Sequence, residues 1–285
     1  MKKINFVKMH GLGNDFVIID GRNQSLELTE NIINKISDRK TGAGCDQIIV
    51  IEKSKINEVD GKIIIYNANG DQAEACGNGT RCVAKIFFDE LKKNQIQLES
   101  ASGILKSNLN ENGLISVNMG KIRSKWSDIP LSQEVNTLDV PISYSIPSWD
   151  EEGVHFYTYG YAVAVNVGNP HLVLFGKNII KCDLLNLGNQ IENHQLFPEK
   201  TNVEVVEIID HNTLKMRVWE RGVGETLACG SGSCAAVYAG YKLSLNSKDC
   251  EVVLEKGSLF VKINENNEAV LTGPAETSFY GSINY

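Results

Sequence analysis

Short apolar runs bounded by Gly, Asn, Asp and Pro dominate the chain, and stretches with helical spacing are few. Residues 4–9 and 16–20 read as strands around the turn His10-Gly11-Leu12-Gly13-Asn14-Asp15. Residues 30–39 place Ile32, Ile33 and Ile36 on one face and predict a helix, stopped by Thr41-Gly42-Ala43-Gly44. Strands follow over 48–51 and 62–67. From 80 to 91, Val83, Phe87 and Leu91 form one line and Ala84 and Phe88 the next, with Cys82 and Ile86 filling most of the remaining face. A helix apolar nearly all round belongs in a core. Strands near 97–100, 104–109 and 114–117 complete this half.

The rhythm changes over 121–160, where Pro130, Pro141 and Pro147 stand among Ser, Asp and Glu. This stretch reads as a crossing between domains, with a strand pattern resuming over 154–161. Then the earlier pattern returns. Strands at 161–167 and up to 175 flank Gly168-Asn169-Pro170-His171, and a helix occupies part of 179–192. Strands at 203–209 and 215–220 follow, then a second all-round apolar helix at 233–243 and strands near 251–254, 258–263 and 269–271. The recurrence extends to sequence: Ala75-Cys76-Gly77-Asn78-Gly79-Thr80 is repeated as Ala228-Cys229-Gly230-Ser231-Gly232-Ser233, 153 positions on. Self-similarity on this scale means two like domains, each a curled sheet of roughly eight short strands around one buried helix, each offering one cysteine in the same setting.

Composition narrows the chemistry. A net charge of −7 argues against a nucleic-acid footprint or attraction to anionic lipid. No apolar run approaches a membrane span, and Lys8, His10, Asn14 and Asp15 break the first apolar stretch too early for a signal peptide. Seven cysteines, an odd number without a Cys-x-x-Cys pair, point to thiols in a reducing compartment, hence the cytoplasm, and not to zinc or a disulfide framework. The Gly11-x-Gly13 turn lacks the third glycine and the following helix of a dinucleotide loop.

Each motif cysteine stands just before a glycine-rich helix start. Unpaired N–H groups and the positive end of the helix dipole converge there, which should lower the thiol pKa and cradle a carboxylate. Two such groups suit inversion at carbon, where a proton leaves one face and another arrives at the opposite face, without a cofactor. Developing carbanion charge would be stabilised by the helix N-termini.

The same residues resemble the diaminopimelate epimerase family of PLP-independent amino acid epimerases, over essentially the whole chain. The likeness runs through Lys8-Met9-His10-Gly11-Leu12-Gly13-Asn14-Asp15-Phe16, Glu74 to Cys82, Gly168-Asn169-Pro170-His171, Thr201-Asn202-Val203 and Trp219-Glu220-Arg221-Gly222-Val223-Gly224-Glu225-Thr226 into the second cysteine motif. Ala75 and Ser231 depart from the family's usual Met and Thr without removing a reacting group. Asn78 stands where the related proline racemases usually have His. The resemblance implies an α/β fold of two pseudo-symmetric domains, each a β-barrel-like sheet around a central helix, with the active site in the cleft between. It places one domain at 1–120, joined by a C-terminal strand near 275–285, and the other at 121–274. It implies LL- to meso-2,6-diaminopimelate epimerisation in lysine and peptidoglycan precursor synthesis, with no cofactor and no metal.

By the same resemblance, Cys76 and Cys229 are the paired acid and base, and His171 and Glu220 assist at the reacting centre. Gly77-Asn78 and Gly230-Ser231 bind the reacting carboxylate. Asn14, Gln47, Asn67, Asn169, Asn202, Glu220 and Arg221 line the substrate site, with Arg221 suited to grip the distal carboxylate bidentately. A homodimer is implied, with Phe279 or Tyr280 at the contact. Three competing readings remain: a proline or hydroxyproline racemase-type enzyme, a thiol redox or metal-binding protein, and a non-catalytic amino-acid-binding module. Asn78 and Arg221 argue against the first.

Overall fold

The computed structural model describes residues 3–24, 26–73, 76–142, 146–150, 153–157 and 162–284, the backbone alone for 146–150 and 153–157. Glu74 and Ala75 of the first motif, residues 158–161 of the expected strands, and Tyr285 lie outside the described residues. The chain divides into two compact units, residues 1–118 with 272–285, and residues 119–271.

In unit 1, β1 (Lys3–Gly11) and β2 (Asn14–Asp20) form an antiparallel hairpin. Gly13 takes φ +90 in its turn, a conformation that a side chain rarely adopts. Helix α1 (Glu30–Ser37) carries the chain across to β3 (Gln47–Glu52), which lies parallel to β2 with Phe16 opposite Gln47. Strand β4 (Gly61–Asn67) returns antiparallel, with Asn67 opposite Gln47, and β5 (Gln72–Ala73) adds a short flap. The long helix α2 (Gly77–Leu91) then leads to β6 (Gln95–Ser100), parallel to β4, and to β7 (Gly103–Leu109) and β8 (Ile115–Lys121). Helix α1 buries Ile33 and Ile36 against Ile4, Phe6, Val17, Ile19, Ile48 and Val50. Most of α2 is buried, including Cys82, Val83, Ala84, Phe87 and Phe88; Leu91, expected in the core, is exposed at its end.

Unit 2 opens with a stretch that packs more than a bare connector would. Ile129, Leu131 and Val140 are buried in its core, and the hairpin β9 (Ile146–Asp150) and β10 (Gly153–Tyr157) follows. From there the unit retraces the pairings of unit 1. The hairpin β11 (Ala162–Asn166) and β12 (Pro170–Phe175) turns at Gly168, φ +92. Helix α3 (Leu184–Glu192) crosses to β13 (Asn202–Asp210), parallel to β12 with His171 opposite Asn202. Strand β14 (Thr213–Glu220) runs antiparallel to β13, and β15 (Gly224–Thr226) makes the flap. Helix α4 (Gly230–Lys242) leads to β16 (Asp249–Leu254), parallel to β14, then β17 (Gly257–Ile263) and β18 (Glu268–Gly273). The chain returns to unit 1 with β19 (Glu276–Asn284), antiparallel to β1 from Lys3↔Asn284 to His10↔Glu276.

This is the mixed α/β architecture that the strand and helix rhythms imply. Both motif helices begin at the glycine just after the cysteine, earlier than apolar spacing indicates. Glycine is a poor helix former, so these first turns leave no helical signature in the sequence.

Candidate active site

Cys76 is the N-cap of α2, its backbone extended at φ −148 and ψ 103. Its Sγ accepts from the Gly79 N–H at 3.4 Å, and its carbonyl from the Thr80 N–H and hydroxyl at 2.8 and 2.9 Å. The thiol also lies 3.9 Å from Asn14 Oδ1, which accepts from Asn78 Nδ2 at 3.2 Å. Thus Asn14, Cys76, Gly77 and Asn78 come together at one helix start. Gln47 and Asn67 share the neighbouring strand ends, and Gln47 Nε2 donates to Asn67 Oδ1 at 2.9 Å.

Behind Asn14 is a charged support. Asp46 accepts from Asn14 Nδ2 at 2.9 Å and from the Asp15 N–H at 3.0 Å. Asp15 in turn accepts from the Asp46 N–H at 2.9 Å, from both terminal nitrogens of Arg39 at 2.8 and 3.0 Å, and pairs with buried Lys8 at 2.7 Å. Lys8 also donates to the Gly44 carbonyl. Burial pushes the Asp15 carboxyl up, but Arg39 and Lys8 outweigh it and hold the group at about 2. The amide of Asn14 is thereby fixed with its nitrogen toward Asp46 and its oxygen toward Cys76 and Asn78. On the other side of Asn78, fully buried Arg81 donates Nη2 to Asn78 Oδ1 at 2.9 Å and Nε to the Pro274 carbonyl at 3.1 Å.

Unit 2 repeats the cap with different company. Cys229 is the N-cap of α4; its Sγ accepts from the Gly232 N–H at 3.4 Å and lies 3.5 Å from Ser231 Oγ. The Ser233 hydroxyl donates to its carbonyl at 2.9 Å. His171 is fully buried, with Nδ1 2.7 Å from Glu204 Oε1 and Nε2 2.8 Å from Asn169 Oδ1. The Thr226 hydroxyl donates to Glu220 Oε1. Asn202 binds backbone with both ends of its amide: Oδ1 accepts from the Arg221 N–H at 2.9 Å, and Nδ2 donates to the Pro170 carbonyl at 2.8 Å. Buried Glu192 brackets the same loop, accepting from Trp219 Nε1 at 2.7 Å and the Gly222 N–H at 2.8 Å. Arg221 itself is exposed and donates to the Glu199 carbonyl at 3.2 Å.

One sequence expectation needs correction here. The helix N-terminus should lower a thiol pKa, yet Cys229 is pushed well above the ordinary thiol value. Burial is the main cause, followed by the negative charges of Glu220 and Glu204; the Ser231 and Gly232 bonds oppose them and lose.

The chain matches the family Diaminopimelate epimerase over residues 6–125 and 163–278. It is 42% identical to the diaminopimelate epimerase of Pelagibacter ubique, covering 95% of each chain. It is 39% identical to that of Neisseria meningitidis over the whole of both chains.

The chain belongs to the diaminopimelate epimerase family.

It is accordingly an isomerase. Solved structures extend the likeness of fold far beyond this family. A Bacillus anthracis phenazine biosynthesis protein of the PhzF family superimposes with a TM-score of 0.68 at 18% identity, over the full length of both chains. A hydroxyproline epimerase from Agrobacterium vitis superimposes with a TM-score of 0.67 at 11% identity, over 99% of this chain and 92% of that one.

Several residues that shape this epimerase's site escaped the sequence reading. Arg81 is a cation on the glycine-rich first turns of an apolar helix, and Glu204 an acid between Val203 and Val205; each is a visible anomaly. Asp15, Asp46 and Glu192 gave no such signal, because acids at strand and helix ends are ordinary surface residues.

Proposed function

We propose that the enzyme interconverts LL- and meso-2,6-diaminopimelate by a two-thiol proton transfer at the α-carbon, in the synthesis of lysine and peptidoglycan precursors. One thiolate removes the α-proton, and the other thiol delivers its own proton to the opposite face. The products are the inverted carbon, a thiol where the thiolate was and a thiolate where the thiol was, so the step balances without a cofactor. The observation that carries this reading is the duplicated cap: Cys76 and Cys229 each hold Sγ 3.4 Å from the third N–H of a helix.

The N–H groups of Gly77-Asn78 and Gly230-Ser231 take the reacting carboxylate and stabilise the charge that develops beside the carbanion. His171 and Glu220 assist near Cys229. Asn14, Gln47, Asn67, Asn169, Asn202 and Glu220 line the substrate, and Arg221 holds the distal carboxylate. The bonds of Asn202 support a narrower part for it, since its amide ties Arg221 to Pro170 and thus sets the loop. The enzyme acts in the cytoplasm as a homodimer. Support for the dimer comes from the exposed aromatic rings of Phe279 and Tyr280 on β19.

The test is turnover in deuterated water by protein freed of PLP. Stopped early, LL substrate should give meso product deuterated at the inverted carbon, while recovered LL substrate carries much less label. Equal early labelling of both would leave the second thiol without a role. Absence of turnover would reject the reading outright.

A further inference from the structure

The two halves can be laid on one another through their strand pairings, and at one place they disagree in kind. In unit 1, Phe16 of β2 faces Gln47 of β3, and Ile49 lies two residues further on. In unit 2, His171 of β12 faces Asn202 of β13, and Glu204 lies two residues further on. Phe16 and Ile49 are fully buried, as are His171 and Glu204. Both pairs lie beneath the first turn of the cysteine helix. A Cβ built on Gly79 would meet Ile49 Cδ1 at 2.5 Å and Phe16 Cε1 at 3.3 Å. A Cβ built on the corresponding Gly232 would meet Glu204 Oε1 at 2.7 Å. So the same pocket of the same fold holds two hydrocarbons in one half and a carboxylate with its imidazole in the other.

The scaffold does not need charge there, since unit 1 packs without it. Burying a carboxylate is costly, and Glu204 keeps one oxygen, Oε2, without a hydrogen-bond partner. Glu204 sits against the glycine whose N–H binds Cys229 Sγ, where its charge offsets the positive pole of α4. The carboxylate, not the imidazole, is the nearer member of the pair, as the Gly232 contact shows.

We propose that Glu204 is a positioning residue that makes the two thiols chemically unequal: it orients His171 and offsets the helix pole at Cys229, where the matching place beneath α2 holds the hydrocarbon of Ile49. The enzyme therefore rests with Cys229 as the proton donor and Cys76 as the acceptor. This rests on the two-thiol reading of the site. Among the described residues, Glu220 and Glu204 are the charges that act on Cys229. Glu204 comes from β13 and Glu220 from β14; His171 of β12 is held on Glu204, and β11 carries none. On β16, Cys250 bonds to Asn246 and Ser247, after the far end of α4, and Asp249 and Glu251 of that strand and Lys262 of β17 lie outside the buried core.

The test labels the intact enzyme with limiting iodoacetamide from pH 6 to 10, without substrate, and reads alkylation at each cysteine by peptide mass spectrometry. The pH midpoint reports thiolate formation and does not move with access alone. In Glu204→Gln, the Cys229 midpoint should fall by about one pH unit, a tenfold gain in thiolate at a given pH, while the Cys76 midpoint stays. The double variant His171→Phe/Glu204→Ile, which copies unit 1, should fold and show the same fall. An unmoved or raised Cys229 midpoint in the folded variants would overturn the proposal. So would failure of both variants to fold, since the pair would then be a structural necessity of unit 2. Because no substrate is used, failure of the two-thiol reading in turnover assays would be seen separately.

Discussion

Glu192 offers the most direct test of how the loop that carries Glu220 and Arg221 is held. Its buried carboxylate accepts from Trp219 Nε1 and from the Gly222 N–H, so it spans Glu220 and Arg221 from both sides. Lys200 Nζ lies 3.5 Å from the same carboxylate and is half exposed. Glu192→Ala removes both bonds. Hydrogen bonds to a charged acceptor contribute about 1.5–3 kcal/mol each. Gly222 is exposed, so water replaces part of its bond, and the loss comes to about 2–4 kcal/mol. Glu192→Gln keeps the length and one acceptor oxygen and should cost about half as much. Urea unfolding would read this as a lower midpoint at unchanged slope. The loop should also have to be ordered again on binding, at about 0.5–1.5 kcal/mol per side chain. For Glu220 and Arg221 together that predicts a fall of about tenfold in kcat/KM for diaminopimelate, mostly through KM. Glu192→Ala protein with the parent urea midpoint and kcat/KM within about twofold would refute the bracket.

Three further outcomes follow from the described geometry. Cys76→Ala and Cys229→Ala should each abolish epimerisation with circular dichroism unchanged, whereas Cys82→Ala or Cys234→Ala, inside the helices, should do far less; turnover near the parent rate by Cys229→Ala would reject the two-thiol step. Arg221→Leu should lower kcat/KM for diaminopimelate by about 10²-fold, the loss of one charge-assisted pair, and a parent rate on proline equal to that on diaminopimelate would refute its role. Asp15, held at about 2 by Arg39 and Lys8 against the effect of burial, should stabilise the fold fully above about pH 4 and lose that contribution as pH falls through 2. Because its partner Arg39 is exposed to solvent, the contribution is on the order of 1–2 kcal/mol, and Asp15→Asn should flatten the acid limb of a pH–stability curve.

The α/β character and the repeat were legible because strands and buried helices leave periodic signatures, and because glycine-rich caps keep their sequence when a half is duplicated. The helix starts at Gly77 and Gly230 were not, since a cap depends on φ, ψ and one N–H, not on hydrophobic spacing. The chemistry of the caps was half legible. Local sequence shows a thiol at a helix pole, but Glu204 lies 25 residues before Cys229 and reaches it only through the register of β12, β13 and α4. Asn202 shows the same limit: its sequence neighbours say nothing of its two backbone partners at Pro170 and Arg221.

The pairing of β1 with β19 has a consequence for the order in which the protein is built. One edge of β1 is satisfied at once by β2, next to it in sequence; the other is satisfied by a strand that lies beyond the whole of unit 2. Unit 2 is continuous from 119 to 271 and can close on itself while β1 still presents an open edge. Its contacts are nearer in sequence, so its loops close at lower entropic cost. During synthesis, then, the half that carries Cys229 can mature first, while β1 keeps an open edge until β19 emerges. On the proposed two-thiol reading, activity should arrive only with β19.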